Sequence, residues 1–141
     1  MLDKAYVQQK LVSLIQYLDE IAPLTQITLA EYRADFVRRH AVEKLIELIV
    51  EFASDINRHL VEGAGKAAPQ TYYSTFEEVA RLKVISVSLA ARLGATTGLR
   101  NRLVHGYEDV DDELVHQALK PLARNYRKYV IAIEEYLRRV S

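Results

Sequence analysis

The stretch Val42-Glu43-Lys44-Leu45-Ile46-Glu47-Leu48-Ile49-Val50-Glu51-Phe52-Ala53-Ser54-Asp55-Ile56-Asn57-Arg58-His59-Leu60 carries the reading of the fold. Leu45, Leu48, Phe52, Ile56 and Leu60 recur at spacings of three and four, which places them on one face of an α-helix. Val42, Ile46, Ile49 and Ala53 form a second apolar face on the same helix. A helix that is apolar on two sides either lies deep in a bundle or meets another subunit.

On the N-terminal side, Thr28 stands three residues before Glu31, a capping box that should open this helix and carry it unbroken to about residue 61. Further upstream, Val7, Leu11, Leu14, Ile15 and Leu18 give another helical face, ended by Ala22-Pro23. On the C-terminal side, Gly63, Gly65 and Pro69 mark a loop. Short helices are expected over 74–83 and 86–93, with Gly94 as a stop, followed by a helix over 96–104 and a turn at Gly106. Asp111-Asp112-Glu113 reads as a helix start, its acids facing the positive end of the helix dipole. Pro121 sits in the first turn of a new helix or kinks a continuous one. Leu122, Tyr126, Tyr129, Val130, Ile133, Tyr136 and Leu137 supply the last apolar stripe. With no strand-period segment, repeat or low-complexity tract, the expectation is an all-α bundle of four to six helices forming a single domain over 1–141.

Bulk composition agrees with one folded domain: 141 residues, half of them hydrophobic and 27% charged. The absence of cysteine excludes disulfides and thiolate metal sites and is compatible with a reducing cytoplasm, the expected location. Met1-Leu2-Asp3-Lys4-Ala5 lacks the order of a signal peptide, and no apolar run is long enough to span a bilayer. Lys plus Arg equals Asp plus Glu at 19 each, so a general nucleic-acid coat protein is disfavoured, while an enzyme with a local basic pocket is not.

The chemistry is concentrated in Arg100-Asn101-Arg102-Leu103-Val104-His105-Gly106-Tyr107. Cleaving RNA without a metal requires a base for the ribose 2′-hydroxyl, an acid for the leaving 5′-oxygen, and positive charge at the phosphorane-like transition state. Histidine serves as acid or base near neutral pH, and arginine presents a planar fork matched to phosphate oxygens. Asn101 can donate to phosphate or hold His105 in one tautomer, and Tyr107 can donate a hydrogen bond or stack on a base. Arg100 and His105 lie about 140° apart around an ideal helix, so they share a face only if the helix frays before His105. Each residue also has a plain alternative. His105 could be an ordinary buried histidine, Arg102 a solvated charge and Tyr107 a core aromatic. His40, His59 and His116 lack metal-ligand spacing and read as structural. The acids from Glu108 to Glu113 read as a helix cap rather than a cation site. Neither metal nor cofactor is expected. Arg124, Arg127 and Lys128 form a charged face that RNA could use, though such faces are usually only solvated.

The arginine, asparagine, four-residue gap to histidine, and tyrosine two further on resemble the HEPN signature. Asp55-Ile56-Asn57-Arg58-His59-Leu60, then Pro69, Tyr72-Tyr73 and Phe76, follow the layout of HepT proteins, so that the likeness spans about residues 38–137. That resemblance implies a HEPN helical bundle, a homodimer, and a metal-independent endoribonuclease site in the dimer cleft, with Arg100, Asn101, His105 and Tyr107 as catalytic residues. It also implies a type VII-like toxin–antitoxin system in which an MNT nucleotidyltransferase antitoxin transfers AMP onto Tyr107. Asp55 and His59, one helical turn apart, match family positions and are carried as candidates for supporting the site from behind. The dimer is expected to form largely through the long helix over 28–61 and the motif region. Two readings stand beside the nuclease: a non-catalytic helical module that docks a nucleotidyltransferase, and a structural or regulatory helical protein.

Overall fold

The computed structural model describes residues 2–106 and 110–140, and six α-helices account for most of them. Helix α1, Lys4–Ile21, is capped by Asp3, which accepts from the Tyr6 backbone N–H at 3.1 Å, and it buries Val7, Leu11, Leu14, Leu18 and Ile21. Pro23 falls in the first turn of a 3-10 segment, Ala22–Gln26, that ends this element.

Helix α2, Leu29–Ala34, opens on the expected capping box. Thr28 Oγ1 accepts from the Glu31 backbone at 3.1 Å, and the Thr28 backbone donates to Glu31 Oε1 at 2.9 Å. Hydrogen bonding to the Glu31 carboxyl, from the Thr28 backbone first and the Thr28 hydroxyl second, holds it below the ordinary carboxylate range. The helix does not run on to residue 61. At Asp35 the backbone turns extended, and the carboxylate accepts from the Val37 and Arg38 backbone at 2.9 and 3.3 Å, starting α3, Phe36–Gly63, afresh. A short acidic side chain has captured N–H groups that a continuous helix would pair internally.

Helix α3 lies at the centre and touches α1, α2, α4 and α5. Val42, Leu45, Ile46, Ile49, Val50, Ala53, Ile56, Leu60 and Val61 are all buried within one chain. The protomer itself thus covers most of its two apolar faces, while Leu48 and Phe52 of the first face stay half-buried.

Helices α4, Tyr72–Arg81, and α5, Val87–His105, pack closely on each other. Gly94 does not stop a helix; α5 runs through it for 19 residues. The missing side chain serves helix packing instead, because a Cβ at Gly94 would lie 2.9 Å from Tyr73 Cε2. Helix α6, Asp112–Arg139, starts at the Asp111 cap and is continuous through Pro121, whose ring sits on an exposed face.

Aromatic rings close the core. Phe76, Tyr126 and Tyr129 meet edge-on, with centroids 6.0 to 6.4 Å apart. The Tyr129 hydroxyl donates to Asn57 Oδ1 at 2.6 Å and is 3.0 Å from the Ala53 carbonyl oxygen, tying α6 to α3. Asn57 Nδ2 donates in turn to Thr75 Oγ1 at 3.1 Å, and Thr75 donates to the Tyr72 carbonyl at 2.7 Å, so the same network reaches α4. Burial pushes the Tyr126 and Tyr129 phenols well above their ordinary range and keeps them neutral. Among the described residues, no helix is long and apolar enough to cross a membrane.

Candidate functional site

The second half of α5 carries the motif and is anchored before the motif begins. The Thr96 hydroxyl lies 2.7 Å from the Tyr126 hydroxyl, joining α5 to α6, while Leu93 and Thr97 are buried beneath. One turn on, Arg100 points inward, its side chain 13% exposed. Its Nη2 donates to Glu51 Oε1 of α3 at 3.1 Å, and its Nη1 donates to Asn101 Oδ1 at 3.2 Å. The guanidinium carbon lies 4.6 Å from the centroid of the Tyr72 ring on α4. Nε is buried and has no partner among the described residues. Three helices therefore define where this fork sits, and one hydrogen on each terminal nitrogen is left over from these bonds.

Asn101, Arg102 and His105 are exposed. The helix does not fray before His105, which is its last residue. Gly106 closes α5, its N–H donating to the Arg102 carbonyl at 2.7 Å. A Cβ at Gly106 would lie 2.5 Å from that same carbonyl oxygen, so this tight ending requires glycine. With the helix intact, Arg100 and His105 keep their offset of about 140°: one is turned into the protein and the other out of it. Tyr107, Glu108 and Asp109 lie outside the described residues.

The structure thus gathers Arg100 and Asn101 with Glu51 and Tyr72. It engages Asp55 and His59 elsewhere. Asp55 pairs with Lys10 at 3.1 Å and with Arg58 at 3.7 Å, and His59 Nε2 accepts from the Asp3 backbone at 2.9 Å beside the Tyr6 ring. Both residues fasten α1 to α3. His116 does similar work for α6, its Nε2 lying 2.7 Å from the Ile27 carbonyl oxygen.

Glu51 had no assigned role in the sequence reading. The signal available was a carboxylate between Val50 and Phe52 in a helix with two apolar faces, a place where an unpaired charge is costly and a cationic partner is to be sought. Beside the motif, α5 and α6 leave an open groove of about 390 Å³, lined by Ala95, Gly98, Leu99, Arg102, Leu114 and Pro121 among others.

Comparison with known proteins gives a consistent picture. The ribonuclease HepT-like family matches residues 14–133. A tRNA nuclease HepT of Aphanizomenon flos-aquae is 30% identical over 136 residues, covering 96% of this chain and 92% of that protein. An mRNA nuclease HepT of Shewanella oneidensis is 22% identical over 105 residues, 74% of this chain and 79% of that one. A solved structure of a tri-AMPylated Shewanella oneidensis HEPN toxin in complex with an MNT antitoxin has the same fold. Its TM-score is 0.85 at 19% identity, covering 94% of this chain and 99% of that one.

Proposed function

Because the chain belongs to the ribonuclease HepT-like family, we propose that it is a metal-independent endoribonuclease and the toxin of a toxin–antitoxin pair. The observation that carries this reading is the state of Arg100. A largely enclosed guanidinium, fixed by Glu51, Asn101 and the Tyr72 ring, stands five residues before an exposed histidine at the end of the same helix. Preorganised positive charge is what a phosphate transition state needs, and it costs no reorganisation at the moment of reaction. Arg100 and Asn101 contact the phosphate oxygens. His105 moves the proton, as base toward the 2′-hydroxyl or as acid toward the departing 5′-oxygen. Tyr107 completes the motif by hydrogen bonding or by stacking on a base.

One chain turns Arg100 and His105 to different sides of α5, so the working site is the cleft of a homodimer, where two motifs supply charge and proton transfer together. The face of α5 that presents Ala91, Ala95 and Gly98 to solvent supports this reading, since small residues let a second helix approach closely. A Cβ at Gly98 would meet nothing within 4 Å, so this part of the face is uncovered in the protomer.

Transfer RNA and messenger RNA are the substrates to offer the purified protein. Cleavage is expected to survive EDTA and to leave 2′,3′-cyclic phosphate ends, because the ribose hydroxyl is the nucleophile. Activity abolished by chelation and restored by magnesium would point to metal-assisted chemistry instead.

The partner in this reading is an MNT-type nucleotidyltransferase: the Tyr107 phenol oxygen, losing its proton, attacks the α-phosphate of ATP, and the α–β phosphoanhydride bond breaks to release pyrophosphate. The attached phosphodiester would occupy the arginine subsite and the purine would fill the stacking surface, excluding RNA without unfolding the protein. Intact mass after co-expression is expected to rise in steps of one AMP and to stay at the parent value in Tyr107→Phe. Gains that persist in Tyr107→Phe would identify a different acceptor.

A further inference from the structure

The Glu51–Arg100 contact joins positions 49 apart in sequence and is the part of the site that the motif does not contain. A carboxylate on the phosphate-binding arginine has two opposite consequences. It neutralises charge and so weakens ground-state attraction for RNA. It also removes rotamer freedom from a long side chain before substrate arrives, which favours a transition state needing exact alignment. The surroundings indicate which consequence dominates. Glu51 bonds one terminal nitrogen only, through a single oxygen, and so does not cover the fork as a bidentate carboxylate would. The Tyr72 ring lies against the guanidinium, 4.6 Å from its central carbon, while Asn101 holds the other terminal nitrogen. The side chain of Glu51 is itself 31% exposed, so it stands at the rim of the site, where substrate arrives.

We infer that Glu51 and Tyr72 are positioning residues that hold the Arg100 fork in the plane and direction in which it meets the scissile phosphate. This inference rests on the ribonuclease reading. Neither residue touches RNA in this arrangement. Glu51 sets the direction through its hydrogen bond, and Tyr72 restricts the guanidinium through contact with its ring.

The test measures kcat and KM separately on a labelled RNA that the parent protein cleaves. Glu51→Ala is expected to lower kcat by roughly 10- to 100-fold, the range of a misplaced catalytic group, while KM stays the same or falls as Arg100 regains its full charge. Glu51→Gln, which keeps an acceptor oxygen, is expected to recover part of kcat. Tyr72→Leu should lose kcat as Glu51→Ala does, and Tyr72→Phe, which keeps the ring, should lose less than Tyr72→Leu. A second readout is independent of turnover. The Arg100 Nε–H cross-peak in a nitrogen-15 spectrum should be sharp and slow to exchange in the parent, and broadened or lost in Glu51→Ala and Tyr72→Leu. Parent kcat in Glu51→Ala would overturn the positioning role while leaving the nuclease intact. A rise in kcat would overturn it too, by showing that Glu51 blocks the arginine. A parent protein that cleaves neither transfer RNA nor messenger RNA would overturn the ribonuclease reading and, with it, any catalytic use of this pair.

Discussion

Arg100 and His105 belong to one short motif, yet their surroundings differ. Arg100 is enclosed by α3 and α4, while His105 ends a helix in the open. The difference matches the demands of their proposed roles, since a charge stabiliser gains from rigidity and low dielectric and a proton carrier needs access to substrate. His105→Ala and Arg100→Ala are each expected to cut cleavage by about 10²-fold or more with helical content unchanged, as followed by circular dichroism beside an RNA assay. Parent-rate cleavage by His105→Ala would remove the histidine from the mechanism. The candidate motif can be picked out without a structure because the proposed cleavage calls for particular functional groups and the chain presents them within eight positions. Glu51 was not legible in that way, because its meaning comes from a partner that only folding brings within 3.1 Å. The family layout drew attention to Asp55, one turn along α3 from Glu51, but the structure pairs Asp55 with Lys10.

The helices themselves were largely readable, and their errors have local causes. Periodicity located α1 and the second half of α6, the expected helix over 74–83 forms two residues earlier as α4, and the Thr28 capping box formed as the spacing required. The break at Asp35 was missed because its flanks continue a helical pattern, and only the side-chain bonds to Val37 and Arg38 reveal a second start. Gly94 was misread because glycine ends helices and also permits close packing, and the deciding contact with Tyr73 comes from another helix. Between elements, the Tyr129–Asn57–Thr75 network is expected to matter more than any cap. Tyr129→Phe deletes the donor to a buried amide oxygen without opening a large cavity, so it should cost about 1–3 kcal/mol in urea unfolding. A loss within a few tenths of a kcal/mol would mean that Asn57 finds another donor.

At the scale of the assembly, sequence periodicity proposes the long helix and the motif region as the subunit contact. Two apolar faces on α3 suggest a subunit contact, and α1, α2, α4 and α5 cover most of that helix within a single chain, leaving Leu48 and Phe52 half-buried. The exposed small residues of α5 are the better candidate for a twofold contact. Light scattering at micromolar concentration is expected to show a dimer, and Gly98→Arg to shift it toward monomer with loss of RNA cleavage. A parent that remains monomeric while cleaving RNA would contradict the dimer-cleft site. The all-α class, most helical segments and the candidate motif follow from the order of residues, because helical periodicity and functional-group spacing act over a few positions. The position of α3 at the centre, the unbroken α5 and the hold of Glu51 and Tyr72 on Arg100 follow from packing. Whether an apolar face is covered, and whether a charge is paired, depends on residues tens of positions away that meet only in the folded chain.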